Sequence, residues 1–271
     1  MAYSGCDHFE QITVRLHKQV CRIGLNNPAK QNALSRTMIR ELLEAIRLTG
    51  QDPDCRVLVI QGEGNGFCAG ADLDWMLEGK SQSRQQNVLD AKLFFDLYEH
   101  LYNYPKPVVS VVQKHAYGGG IGLLACSDIV IAGEDAKFRF PEVALGLVPA
   151  TIAPFVTKKT GSSFVRRMML TAEPFTAAQA CQAGLVTDCV PEGEMGERLE
   201  AVLQRLLHNG PRATMLTKQM INHFEDNHEI DDLMAVYCTK LIALARASEE
   251  GLEGVRAFFE KRKCNWNHDS N

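Results

Sequence analysis

Pro107-Val108-Val109-Ser110-Val111-Val112 is an apolar run broken only by Ser110, and it leads into Tyr117-Gly118-Gly119-Gly120-Ile121-Gly122. A short β-branched run followed by glycines reads as a buried strand, a tight turn and the start of a helix. An earlier pair repeats the pattern: Val57-Leu58-Val59-Ile60 leads to Phe67-Cys68-Ala69-Gly70-Ala71-Asp72. Two such turns can aim two backbone N–H groups at one point, holding an anionic carbonyl oxygen without a charged side chain. Gly118-Gly119-Gly120 lacks Cβ atoms, so a ligand carbonyl can approach the main chain, and the helix it opens would favour negative charge there. Close backbone packing explains the same glycines with no ligand, and both readings stand.

Working outward, the first half alternates strand and helix signals. Residues 12–16 and 20–25 predict a hairpin closed by His17-Lys18-Gln19. Ser35 predicts an N-cap for a helix to about Thr49, with Met38, Ile39, Leu42, Leu43 and Ile46 on one face. A second helix is expected from Arg84 to about Tyr104, stopped by Pro105 and Pro107, and Ile129 to Ala132 predicts a further buried strand. The recurrence implies a layered α/β core. Beyond residue 160 strand signals fade. Thr176-Ala177-Ala178-Gln179 is a capping box, its helix ending at Gly184, and helical patterns follow at about 194–208, 211–225, 230–247 and 249–262. Residues 1–195 therefore read as the core and 196–271 as a helical unit, whose apolar faces (Leu233, Val236, Tyr237, Leu241, Leu244) would pack on the core or on another subunit.

At 271 residues, 45% hydrophobic and 23% charged, the composition is that of an ordinary globular protein. A net charge of −4 argues against nucleic acid or an anionic membrane as the main partner. Residues 1–10 lack the pattern of a secretory signal, and no apolar run is long enough to span a membrane. Nine cysteines without framework spacing fit reduced thiols in a cytoplasmic setting. Cys68 flanks the first glycine turn, but with no base in view it reads more readily as a small core residue.

Gly62-Glu63-Gly64-Asn65-Gly66 lacks dinucleotide spacing, and neither glycine cluster is followed by Gly-Lys-Ser/Thr. No G-x-S-x-G elbow occurs, and the eight histidines show no ligand spacing, so no metal is expected. The acid/base candidate is Glu142, in Phe138-Arg139-Phe140-Pro141-Glu142-Val143. Pro-Glu is also a common helix opening, but a half-buried carboxyl there would have a raised pKa suited to proton exchange.

Taken together, these segments resemble the crotonase (enoyl-CoA hydratase/isomerase) superfamily over nearly the whole chain. The carriers are Asn27-Pro28-Ala29-Lys30-Gln31-Asn32-Ala33-Leu34, the two glycine turns, Ser127-Asp128-Ile129, and Pro141-Glu142 running to Leu145-Gly146-Leu147-Val148-Pro149. Thr176 to Val186 and the terminal Phe258-Phe259-Glu260-Lys261-Arg262-Lys263 complete the match. The resemblance implies a spiral of ββα units with a helical C-terminal trimerisation region, assembling as a trimer or a dimer of trimers. It also implies an acyl-CoA substrate whose thioester oxygen is held by the N–H groups of Ala71 and Gly119, with no further cofactor. Lys30, Ala69, Gly118 and the start of the following helix (Asp72, Leu73) fall on the CoA and substrate groove. Phe258 and Lys261 match terminal residues that reach the CoA. Trp75 and Met76 fall either on the acyl pocket or in the core, and Asp72 reads more as an N-cap than a catalyst.

One departure matters. Typical hydratases of the family carry two glutamates, and the first falls on Gly122 here, leaving Glu142 alone. Family Δ3,Δ2-enoyl-CoA isomerases also manage with the second glutamate only. A dienoyl-CoA isomerase would need an Asp where Ala150 stands. Asp74 stands where many hydratases have a CoA-side Lys. The wording of residues 70–76, 118–123 and 146–154 is similar to that of bacterial methylglutaconyl-CoA hydratases of leucine and acyclic-terpene breakdown, which also have glycine at the first-glutamate position. The expectation is hydration of a 2-enoyl-CoA, with the isomerase and a non-catalytic acyl-CoA-binding protein as alternatives. Arg139 is available for a second substrate carboxylate, unless strand alternation turns it to solvent.

Overall fold

The computed structural model describes residues 8–227 and 229–267. The reading of residues 1–10 as lacking a signal thus falls mostly outside the described residues, as do the outermost ends of the two expected regions.

β1 (Ile12–His17) and β2 (Val20–Leu25) form the expected hairpin, pairing Ile12 with Leu25 through to His17 with Val20. Lys18 and Gln19 both take positive φ (48° and 65°), the backbone that a two-residue turn demands between twisted strands. β2 then pairs in parallel with β3 (Val57–Gly62), β3 with β4 (Val108–Val112), and β4 with β6 (Ile129–Gly133). β9 (Asp188–Val190) closes the six-stranded sheet on β6.

Why these strands are apolar without alternation is visible in their two faces. Leu58 and Ile60 of β3 pack into the main core, whereas Val57 and Val59 face a second cluster containing Val20, Val109, Ile131, Leu199, Val202 and Leu203. A parallel sheet covered on both sides needs apolar residues at every position. α1 (Arg36–Gln51) covers one side through Met38, Ile39, Leu42 and Ile46, and α8 (Met195–His208) covers the other. Ser35 caps α1 by accepting from the Met38 N–H at 3.1 Å.

A second, smaller layer positions the site. β5 (His115–Tyr117) and β7 (Lys137–Arg139) pair in parallel, and β7 pairs antiparallel with β8 (Phe175–Thr176). Parallel bridges join Leu34 to Ala71 and Cys68 to Ala116, so residues 68–71 lie as a further rung between Leu34 and β5. Each turn of the chain thus lays one strand in the large sheet, one in the small layer, and then a helix. β3 is followed by the 68–71 rung, α2 (Leu73–Glu78) and α3 (Arg84–Tyr102). β4 is followed by β5 and α4 (Gly119–Ala125), and β6 by β7, a 3-10 turn at Glu142–Leu145, α5 (Ala153–Thr160) and α6 (Ser162–Thr171). The chain has the crotonase-like spiral of ββα units that the resemblance implies.

α7 (Ala177–Gln182) starts with the Thr176–Gln179 capping box. α9 (Pro211–Asp226), α10 (Asp232–Ala247) and α11 (Glu249–Glu260) end the chain, with Pro211 at the first helical position of α9. The fading of strand signals after residue 160 does not mean that strands end there. β8 and β9 are there, but at two and three residues they are too short to show alternation.

Candidate active site

Three neighbouring rungs of the small layer run parallel, so their C-terminal ends share an edge. That edge carries Ala71, Gly118-Gly119 and, after β7, Glu142. The carboxyl ends of parallel strands are where α/β layers gather ligand-binding groups.

The backbone pattern determines which way each N–H points. The Leu34 N–H donates to the Gly70 carbonyl at 2.7 Å, and the Asp72 N–H to the Leu34 carbonyl at 3.1 Å. In a parallel ladder the residue between such bonds directs its own N–H to the opposite side. The Ala71 N–H therefore faces away from Leu34, toward β5. There it meets the glycine turn: a methyl built on Gly119 would lie 3.7 Å from the Ala71 nitrogen, and one on Gly70 would lie 3.5 Å from the Gly119 nitrogen. Gly70 and Gly118 have φ of 95° and 43°, which side-chain-bearing residues rarely adopt. Among the hydrogen bonds of the described residues, neither the Ala71 nor the Gly119 N–H has an acceptor. Two unpartnered amides converging on one point can hold an anionic oxygen.

Glu142 stands over the same turn. A methyl on Gly118 would come within 2.8 Å of Glu142 Oε1, so the glycine is what lets the carboxyl sit close to the peptide. Glu142 is half-buried, and its Oε2 is buried with no hydrogen-bond partner among the described residues. Desolvation raises its pKa above the usual 4.5, against a smaller opposing pull from its own backbone N–H.

Gly122 has no room for the glutamate that typical hydratases carry there. A single methyl would lie 2.5 Å from Ile152 Cγ2 and 2.6 Å from Tyr98 Cε1. Tyr98, on α3, is fully buried, and its hydroxyl donates to the Gly119 carbonyl at 3.0 Å. The sequence reading passed over Tyr98 because it lies on the apolar face of an amphipathic helix. The available signal was only that a buried tyrosine needs a partner.

Around this edge, Lys30 Nζ bridges Asp72 Oδ2 and Asp74 Oδ2, each at 2.8 Å, and these bonds raise its pKa. Asp72 caps α2 by accepting from the Asp74 N–H at 2.9 Å. Desolvation opposes its ionisation, but the bonds from Lys30 and the backbone outweigh it and leave its pKa lowered. The Ala69 N–H donates to the Gln31 carbonyl, which ties the Lys30 turn to the 68–71 rung. Leu73 and Met76 are exposed on α2. Trp75 is buried, stacked on Phe94, with Nε1 donating to Asp90. Cys68 is fully buried, which pushes its thiol up to about 12, as suits a core residue rather than a nucleophile. Arg139 is exposed, and its Nε donates to the Ala172 carbonyl at 2.7 Å.

The structure thus brings together Ala71, Gly118, Gly119 and Glu142, with Lys30, Ala69, Asp72 and Leu73 flanking them. Phe258 and Lys261 lie at the end of α11. Among the described residues, no ring contact, ion pair or hydrogen bond joins either of them to this edge.

The sequence pattern of the enoyl-CoA hydratase/isomerase family matches residues 15–269. A putative enoyl-CoA hydratase of Thermus thermophilus is 32% identical over 90% of this chain and 95% of its own length. The 2,3-dehydroadipyl-CoA hydratase of Escherichia coli is 30% identical over 93% and 96%. The crystal structure of an enoyl-CoA hydratase from Shewanella pealeana superposes with a TM-score of 0.93 at 35% identity, covering 97% of this chain and all of that one. Near-complete coverage in sequence and in structure leaves one conclusion: this chain belongs to the enoyl-CoA hydratase/isomerase family, as an enoyl-CoA hydratase-type enzyme of the crotonase fold.

Proposed function

We propose that the protein adds water across the double bond of a 2-enoyl-CoA to give a 3-hydroxyacyl-CoA. The observation that carries this reading is the pair of unpartnered N–H groups on Ala71 and Gly119 beside a desolvated Glu142 carboxyl. Water adds to C3 as Glu142 takes its proton. The negative charge moves onto the thioester oxygen, which the two amides hold, and Glu142 then returns the proton to C2. One carboxylate serves both steps in turn, because the first-glutamate position is Gly122 and is sterically closed.

The proposed acyl group is 3-methylglutaconyl or a related branched, carboxylated chain. It is supported by the wording around Gly70–Met76 and Gly146–Pro154, and by the E. coli relative, whose name specifies a dehydroadipyl-CoA. CoA enters as part of the substrate. Lys30, Ala69 and the Asp72-Leu73 corner form its groove, and Phe258 and Lys261 complete it from a neighbouring subunit of a trimer or dimer of trimers. Residues 196–271 are the association region, and the enzyme is read as cytoplasmic.

A second reading, migration of the double bond from C3–C4 to C2–C3 with one proton carried from C2 to C4, shares the lone carboxylate. Incubation with crotonyl-CoA, a 3-enoyl-CoA and 3-methylglutaconyl-CoA in heavy-oxygen water separates them. Label in a 3-hydroxyacyl product is expected. Migration without label replaces hydration by isomerisation, and tight CoA binding without turnover overturns both.

A further inference from the structure

Gly118-Gly119-Gly120 has no side chains with which to fix its own conformation, and glycine backbone is the least restricted of all. Hydrogen bonds fix it instead: the Gly118 carbonyl, coplanar with the Gly119 N–H, accepts from the Ile121 and Gly122 N–H groups at 2.9 and 3.3 Å, and two further anchors flank that peptide. On one side the Gly118 N–H donates to the Arg139 carbonyl at 2.9 Å, and on the other the Tyr98 hydroxyl donates to the Gly119 carbonyl at 3.0 Å. The unpartnered Gly119 N–H lies between these two anchors. Tyr98 sits beneath the turn, fully buried, with its ring against Gly122.

We propose that Tyr98 is a positioning residue for the reaction: by holding the Gly119 carbonyl it fixes the peptide that follows Gly119, and with the bonds to the Gly118 carbonyl this keeps the Gly119 N–H aimed at the substrate thioester. This rests on reading Ala71 and Gly119 as the donors to that oxygen. Donor direction matters because a hydrogen bond weakens steeply as its angle departs from linear, and a pre-set donor needs no reorganisation during reaction. Burial, and then the proximity of Cys68, Cys126 and Glu142, keeps the phenol protonated well beyond the usual tyrosine range, so the donor persists at any working pH.

Tyr98→Phe is the discriminating variant. It removes one oxygen and keeps the ring that packs on Gly122. The probe is 4-dimethylaminocinnamoyl-CoA, whose absorption shifts to longer wavelength as its carbonyl is polarised. The parent protein is expected to bind the probe with a clear red shift. Tyr98→Phe is expected to bind it as tightly with a smaller shift, and to lose about tenfold or more in kcat with KM little changed. An unchanged red shift and an unchanged kcat would overturn the proposal. Should Tyr98→Phe fail to fold, 3-fluorotyrosine at position 98 keeps the shape and strengthens the donor. An altered red shift then supports the role and an unaltered one overturns it. A parent protein that binds the probe with no shift at all would instead overturn the oxygen-binding reading of Ala71 and Gly119, and the Tyr98 proposal with it.

Discussion

Glu142 is a carboxylate held where ionisation is disfavoured, with one oxygen lacking a hydrogen-bond partner among the described residues. For activity, the acid limb of the kcat/KM profile should lie above the usual glutamate value of 4.5, because the base must be ionised to accept a proton. For stability the sign is different. A carboxyl whose folded pKa is raised favours the fold while protonated and loses that contribution as pH rises through the raised value. Glu142→Gln should therefore raise Tm near pH 7 and leave it unchanged below about pH 4, where both side chains are neutral. The same variant should lose about 10²–10⁴-fold in kcat with CoA affinity intact. Scanning calorimetry at the two pH values, with turnover and binding assays, checks all three. At Gly119 an added methyl would meet Tyr98 Oη at 2.9 Å and Leu34 Cδ1 at 3.1 Å, forcing the turn outward. Gly119→Ala should lower kcat by about 10²–10³-fold, the usual loss for one donor to such an oxygen.

Among the elements, α4 is the most tightly set. Its Gly122 is wedged against Ile152 and the ring of Tyr98 on α3. Gly122→Glu should not add a second acid/base group. It should destabilise the fold by ~3 kcal/mol from overpacking, read from the urea midpoint, with no gain in turnover. α1, α3, β3, β4 and α8 to α11 were legible in the sequence from their periods, as were Ser35 and Thr176 as caps, whereas the helices α5 and α6 were not read. β5, β7, β8 and β9 were not, because strands of two or three residues exist only through partners distant in the chain. The glycine turns were legible as a donor pair, since missing Cβ atoms and flanking strands are local facts. The contact between Tyr98 and Gly119 spans 21 residues and two elements, so no local pattern announces it.

At the scale of the molecule, the helical end of the chain leaves apolar side chains uncovered. On α11, Leu252, Val255 and Phe259 recur at helical spacing, and Phe258 beside them is 81% exposed. Leu233, Val236 and Leu244 on α10 are exposed as well. The association proposed above would cover such side chains. Sedimentation should show a trimer or hexamer, and Leu252→Asp with Val255→Asp should yield smaller species with a lower Tm. Yet the site such an assembly would shelter is mostly main chain, and its shape limits what can be added to it. The corner beside α4 is filled by carbon, so an acid placed at Gly122 alone meets Ile152 on one side and Tyr98 on the other. Two carboxylates could share this cleft only if Ile152 or Tyr98 gave up volume in the same step.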